Sequence, residues 1–134
     1  MNYLLDTNIL RESIGPQPQI SVLRRVTETP RNRLFTSVIC LMELRVWTRR
    51  SDNPGKRWER VESCASNVTV LPFDEEDAVS AGDLIFDLEK RGVPLDGPDA
   101  LIAATALRHG MTLVTRNTRH FDRVPDLRIE NWFE

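Results

Sequence analysis

The feature that most constrains this chain is a repeated handover, in which a short apolar run stops at a polar or acidic residue and a segment with helical spacing begins. Tyr3-Leu4-Leu5 stops at Asp6-Thr7-Asn8, and Leu34-Phe35-Thr36 stops at Ser37. Val68 to Leu71 is bounded by Pro72, and Thr112 to Thr115 gives way to Arg116-Asn117. Each run reads as a brief buried strand. Strands of this kind alternating with helices imply a parallel sheet covered on both faces and joined by right-handed crossovers. The expected class is therefore α/β, with a short, mainly parallel central sheet.

The helices between these strands announce themselves by caps and periodicity. One opens at Thr7, and a second is expected from about Gln19 to Thr29, before the Pro30 to Asn32 turn. Ser37 is placed to cap a longer helix reaching Arg50. Asp52-Asn53-Pro54-Gly55 is a dense turn signal, followed by a helix through about Ala65. Asp74 looks like the N-cap of a helix whose Ala78, Ala81, Ile85 and Leu88 recur at helical spacing until Gly92. A last helix runs from Asp96 to His109 and closes at Gly110, where His109 suits the negative end of the dipole. The tail from Leu127 to Phe133 is expected to add an edge strand.

With 134 residues and 40% hydrophobic side chains, residues 1–134 are expected to form a single domain with one core. No run approaches the roughly 18 apolar residues of a membrane span. The start MNYLLDTNIL has no basic leader or long apolar region, so a cytoplasmic location is expected. Cys40 and Cys64 fall in different helices without CxxC spacing and are read as buried free thiols. The formal net charge of −2 argues against an unselective polyanion binder. The arginines nevertheless gather, most densely at Arg45, Arg49, Arg50, Arg57 and Arg60, where Trp47 and Trp58 also lie. That helix pair is either a binding surface or a solvated hairpin. Trp47 is expected in the core or at an interface, and Trp132 packs the tail.

Parallel sheets bind ligands beyond the carboxyl ends of their strands, so acids at those ends carry more meaning than acids on helix surfaces. Asp6 sits at such an end, although it equally suits the N-cap of the following helix. Glu43 has Ile39, Cys40, Val46 and Trp47 one turn away. It therefore projects from an apolar helix face with no basic residue at ion-pair spacing. A buried unpaired carboxylate is costly, so either an arginine from another element or a metal ion must compensate it. Asp99 opens the run Asp99-Ala100-Leu101-Ile102-Ala103-Ala104 on a similar face. Asp96 could cap that helix with Asp99 as its reciprocal partner, a role compatible with metal binding. Asn117 stands where a fourth oxygen donor is expected, with Asp122 in reserve.

As a set, these residues resemble the PIN domain, and specifically the VapC and FitB-like toxins of bacterial toxin–antitoxin pairs. The likeness rests on Leu4-Leu5-Asp6-Thr7-Asn8-Ile9-Leu10, on Thr36-Ser37-Val38 leading to Met42-Glu43-Leu44, on Asp99-Ala100-Leu101-Ile102-Ala103-Ala104, and on Leu113-Val114-Thr115-Arg116-Asn117 with His120-Phe121. It covers nearly the whole chain. The resemblance implies a three-layer α/β/α sandwich, a Mg²⁺ or Mn²⁺ site and endonucleolytic cleavage of RNA. Asp6, Glu43 and Asp99 match the family's three core acids, and Asn117 a fourth position held by Asp or Asn. Thr7 and Asn8 match polar residues beside the first acid, and Thr115 the hydroxyl after the fourth strand. Two positions depart from the pattern. His120 stands where many relatives carry an acid, and Asp96, often Gly in relatives, adds negative charge.

In the mechanism so implied, a metal held by Asp6, Asp99 and Glu43 activates water against a phosphodiester while Arg116 or Arg119 neutralises the RNA backbone. The resemblance further implies a homodimer and a small VapB-like antitoxin whose tail presents an arginine to the carboxylates. Two other readings stay open. A PIN-like shell could keep its acids yet act only as a protein-binding module. A Mg²⁺-dependent phosphoryl-transfer domain of the receiver or haloacid dehalogenase type would also carry an Asp after its first strand. Against the latter, position 8 is Asn rather than a second Asp, and the only lysines are Lys56 and Lys90.

Overall fold

A computed structural model describes residues 1–134. Five strands form one sheet, β1 (Tyr3–Leu5), β2 (Leu34–Ser37), β3 (Thr69–Leu71), β4 (Thr112–Val114) and β5 (Ile129–Glu130). Their order across the sheet is β3-β2-β1-β4-β5, with every neighbouring pair parallel. Seven helices connect them: α1 (Thr7–Ile14), α2 (Ile20–Glu28), α3 (Val38–Arg49), α4 (Pro54–Ala65), α5 (Glu75–Lys90), α6 (Gly97–Arg108) and α7 (Thr118–Phe121). The expected tail strand is β5, on the edge beside β4.

The strand order dictates the layers. From β1 the chain steps to β2 and then β3 in one direction, so right-handed crossovers put α1 to α4 on one face. The step from β3 back to β4 reverses direction and puts α5 and α6 on the other face. This is the three-layer α/β/α sandwich. The reversal happens between β1 and β4, which lie side by side with Leu4 opposite Leu113 and Leu5 opposite Val114. The crevice beyond the carboxyl ends of those two strands is where an open α/β sheet receives ligands.

Side-chain caps fix several helix starts, and α1 and α3 open at that same edge, directly after β1 and β2. Ser37 caps α3 by accepting from the Ile39 and Cys40 amides at 3.1 and 3.2 Å. Asn53 caps α4 with Pro54 in its first turn, and Asp74 and Asp77 form a reciprocal capping box on α5. Arg108 ties the far end of α6 to that box, with its guanidinium 2.7 Å from Asp77. The core is continuous through the sheet and includes Leu4, Leu5, Ile9, Leu113, Phe121 and Trp132. Its apolar burial is the main stabilising term. No helix is long and apolar enough to cross a membrane.

Three expectations need correction. The core stripe of α3 is Cys40, Leu44 and Thr48, so Glu43 lies half-buried at its border, and Val46 is exposed. Cys40 is buried but Cys64 is only half-buried. The four-residue α7 was not foreseen, because so short a helix carries no periodic signal. The Arg-rich pair α3 and α4 is braced rather than merely solvated: Arg57 stacks on Trp47 at 4.1 Å and Arg45 on Trp58 at 4.6 Å.

Candidate metal centre at the carboxyl edge of the sheet

Asp6 is the first residue beyond β1 and is only 4% exposed. Its backbone still donates to the Val114 carbonyl at 2.9 Å, which fixes it between the two central strands. Its side chain is held from three directions. Oδ1 accepts from the Thr7 amide at 2.8 Å, making Asp6 the N-cap of α1, while Oδ2 accepts from the Thr115 hydroxyl at 2.7 Å and from Asn8 Nδ2 at 3.2 Å. The capping and ligand readings of Asp6 are thus compatible. Asn8 also accepts from the Arg116 amide through Oδ1 at 3.2 Å, so it bridges the ends of β1 and β4.

Glu43 reaches the same place from the second turn of α3. Its Oε1 accepts from the Thr7 hydroxyl at 2.6 Å. Asp99 arrives from the first turn of α6, where the helix dipole favours an anion. The reciprocal cap with Asp96 is not made: Asp96 is the N-cap residue, but no side-chain capping bond forms. Both carboxylates are thereby free to face the cleft.

Crowding of like charges shows in the acidities. Burial pushes the Asp6 carboxyl above its ordinary range, against the bonds from Thr115 and Thr7, and the negative Asp99 and Glu43 push it further. Burial likewise raises Asp99, opposed by His120 and reinforced by Glu43 and Asp96. The compensating arginine considered for Glu43 is absent. The ion pairs of this molecule are Arg25–Glu130, the three made by Arg108, and His120–Asp99, so neither Asp6 nor Glu43 has a cationic side-chain partner. The carboxylate oxygens of Asp6 and Glu43, held in place and with no internal counter-charge, fit a divalent metal ion.

Cys40, one turn from Glu43 and read from the sequence only as a buried free thiol, was not expected among the potential ligand atoms. Its thiol lies with Asp6 and Glu43 in one cluster of potential ligand atoms. Burial and then the adjacent Asp6 charge push the Cys40 pKa up, so it stays a neutral thiol. The signal was its position one turn before Glu43.

The open side of the site is a cleft of about 720 Å³ with no apolar lining. Asp96, Asp99, Asn117 and His120 line it together with Arg116, Arg119 and Arg123. Asn117 is exposed there, and its amide nitrogen donates to the Thr115 hydroxyl at 3.1 Å. Arg116 stacks over Phe133 at 4.6 Å. Asp122 is exposed and lies outside the cleft lining.

The comparisons with known proteins agree with this geometry. The PIN domain family model matches residues 3–127. A tRNA(fMet)-specific endonuclease VapC from Salmonella typhimurium is 33% identical over 132 residues, covering 98% of both chains. Ribonuclease VapC2 from Haemophilus influenzae is also 33% identical over 98% of both. Among solved structures, DNA-bound VapBC from Salmonella typhimurium superposes with a TM-score of 0.91 at 32% identity, covering 98% of each chain. VapBC2 from Rickettsia felis, bound to a promoter DNA fragment, gives 0.90 at 30%, covering 98% of this chain and 99% of that one. The chain belongs to the PIN-domain family. Within it, these relatives align it with the VapC ribonucleases over almost its full length, which sets aside the receiver and dehalogenase alternative.

Proposed function

We propose that this chain is a metal-dependent endoribonuclease and the toxin of a VapBC-type pair, with Asp6, Glu43 and Asp99 as its metal-binding acids. One observation carries the reading: two of these acids sit at the topological switch point without any cationic partner, and the third opens the helix beside them. Residues 1–134 act as a single nuclease domain, and its RNA substrate places its work in the cytoplasm.

A Mg²⁺ or Mn²⁺ ion held there would polarise the phosphoryl oxygens and acidify water for attack on the phosphodiester. The chain's own residues do the rest. Thr115 and Asn8 aim the Asp6 carboxylate, and the Thr7 hydroxyl holds Glu43 in place. Arg116 and Arg119, exposed on the cleft rim, neutralise the RNA backbone. Glu43 or Asp99 orients the attacking water, and Asn117 offers a neutral oxygen at the fourth corner. Some relatives are named as tRNA(fMet)-specific endonucleases, so structured tRNA is the first substrate to try. Purified protein should produce discrete fragments from total tRNA with Mg²⁺ or Mn²⁺ and none in EDTA. Intact RNA under every condition would instead favour the non-catalytic binding module.

The expected homodimer has a matching surface. Val38, Met42 and Val46 form an exposed stripe along α3, and Val79 and Phe86 are exposed on α5 at 67% and 63%. Such rows of apolar side chains mark interaction surfaces in soluble domains. Phe86→Asp should convert the protein from dimer to monomer in light scattering after gel filtration. A dimer that survives the change would place the interface elsewhere. The antitoxin, a small VapB-like protein, is expected to send its tail to the Asp6, Glu43 and Asp99 carboxylates with an arginine for them.

A further inference from the structure

We propose that the α3–α4 hairpin carries a second RNA contact, in which Lys56, Arg57 and Arg60 hold backbone phosphates of the substrate strand outside the metal centre. The inference rests on the ribonuclease reading above and gives a role to the basic hairpin, for which that reading has no use.

The charge is collected in one place. Along the hairpin Arg45, Arg49, Arg50, Lys56, Arg57 and Arg60 stand against two acids, Asp52 and Glu59, although the chain as a whole holds 18 basic and 20 acidic residues. These cations are not neutralised internally. Every ion pair of the molecule involves Arg25, Arg108 or His120, so no carboxylate pairs with Lys56, Arg57 or Arg60. Like charges gathered this closely repel one another, and a bound polyanion relieves that repulsion.

Geometry turns the charge into a site. Lys56, Arg57 and Arg60 line a recess of about 410 Å³ between the end of α1 and the start of α4, where Asp52 is the one acid. Trp47 forms part of the wall, and the Arg57 guanidinium lies over its indole at 4.1 Å. Stacking engages the flat face of the guanidinium and leaves its edge N–H groups to donate to phosphate oxygens. Ile14, Pro16 and Trp47 are the only apolar side chains of the lining, so the recess suits a phosphate rather than the apolar anchors of a protein ligand.

Two helices join this recess to the metal acids. Helix α1 opens at Thr7, beside Asp6, and ends at Ile14 on the recess, while α3 carries Glu43 and, one turn later, Trp47. At about 1.5 Å per helical residue the two places are on the order of 10 Å apart, roughly three steps of a stacked strand. An RNA strand lying over the acids therefore reaches the recess. The acids themselves repel a polyanion, and the hairpin cations offset that repulsion during binding.

The rival account is a solvated hairpin whose arginines only brace the indole rings. Fluorescence anisotropy of labelled total tRNA with the intact protein in EDTA, where the strand is bound and not cut, separates the two. Lys56→Ala/Arg60→Ala leaves the Arg57 stack in place and should bind about tenfold more weakly than the parent, with the slope of log affinity against log KCl shallower by about 1 to 2. Lys90→Ala/Arg91→Ala removes the same charge from the exposed end of α5 and should stay within about twofold of the parent. Lys56→Arg/Arg60→Lys should restore both affinity and slope. Equal losses in the two alanine doubles, or an unchanged affinity and slope in Lys56→Ala/Arg60→Ala, overturn the inference. So does a Lys56→Ala/Arg60→Ala protein that keeps its tRNA affinity but no longer retains a co-expressed acidic antitoxin, which would make the hairpin a protein surface. A parent that cuts tRNA with metal yet shows no hairpin dependence defeats this contact alone, whereas hairpin-dependent binding without cleavage in Mg²⁺ or Mn²⁺ defeats the nuclease reading and leaves the contact standing.

Discussion

Asp6→Asn is expected to lower RNA cleavage by more than about 100-fold, beyond what disturbing a mere supporting partner of a metal site costs, while raising the stability of the metal-free protein. The two effects have one cause. Asp6 is buried, held in place by Thr7, Thr115 and Asn8, and crowded by the Glu43 and Asp99 charges. Its folded pKa lies above the unfolded one, so the folded state prefers the protonated form. The stability linked to that preference is complete below the unfolded value and is lost as pH rises through the folded one. At neutral pH without metal the ionised carboxylate is a burden on the fold, which a bound cation removes. Asparagine keeps the shape and the oxygen that accepts from Thr7, and has no charge to desolvate. Thermal melts in EDTA between neutral pH and about pH 4.5 should show the parent gaining stability relative to Asp6→Asn as the pH falls. Mg²⁺ should raise the melting temperature of the parent and not of the variant. Cleavage at the parental rate, or an equal metal response in both proteins, would sink the assignment.

Much of this site was legible because its acids sit where the sequence pattern changes. Asp6 follows the first apolar run, and Asp99 opens an Ala-rich helix, so strand ends and helix starts marked both without any tertiary information. Glu43 was found through a partly wrong premise. Its neighbours Val46 and Met42 are apolar yet exposed on α3, and apolar character alone does not tell a core face from a surface that pairs with another molecule. Neither the strand order nor the reversal between β1 and β4 was readable, since it depends on which crossover turns back. The Asp96 cap failed for a similar reason. Sequence offers the capping bond, but it does not reveal the cleft that competes for the carboxylate. The contact between His120 and Asp99 depends on α7, whose four residues are too few to show a helical period.

The last residues of the chain are expected to matter more than their place suggests, and Trp132→Ala is predicted to cost about 3–5 kcal/mol. Trp132 is fully buried. Its ring meets Tyr3 edge-on at 5.2 Å and lies under the Arg25 guanidinium at 4.8 Å. Its indole N–H donates to Glu130 at 3.0 Å, and Arg25 pairs with the same carboxylate at 2.8 Å. These contacts hold β5 against β4, and the Thr115 amide then donates to the Glu130 carbonyl at 3.0 Å. Thr115 is the residue whose hydroxyl aims Asp6. Loss of the indole should therefore reach the site as well as the core. A domain of this size is stable by about 5–15 kcal/mol, so the substitution removes a large share while leaving a folded fraction to assay. Urea unfolding should show the drop, and cleavage per folded molecule should fall too, because β5 no longer pins Thr115. Trp132→Phe keeps most of the apolar contact and loses the indole bond, at about 1 kcal/mol. A cost below about 1 kcal/mol for Trp132→Ala would mean that the tail frays independently of the cooperative core, and that Thr115 is positioned by β4 alone.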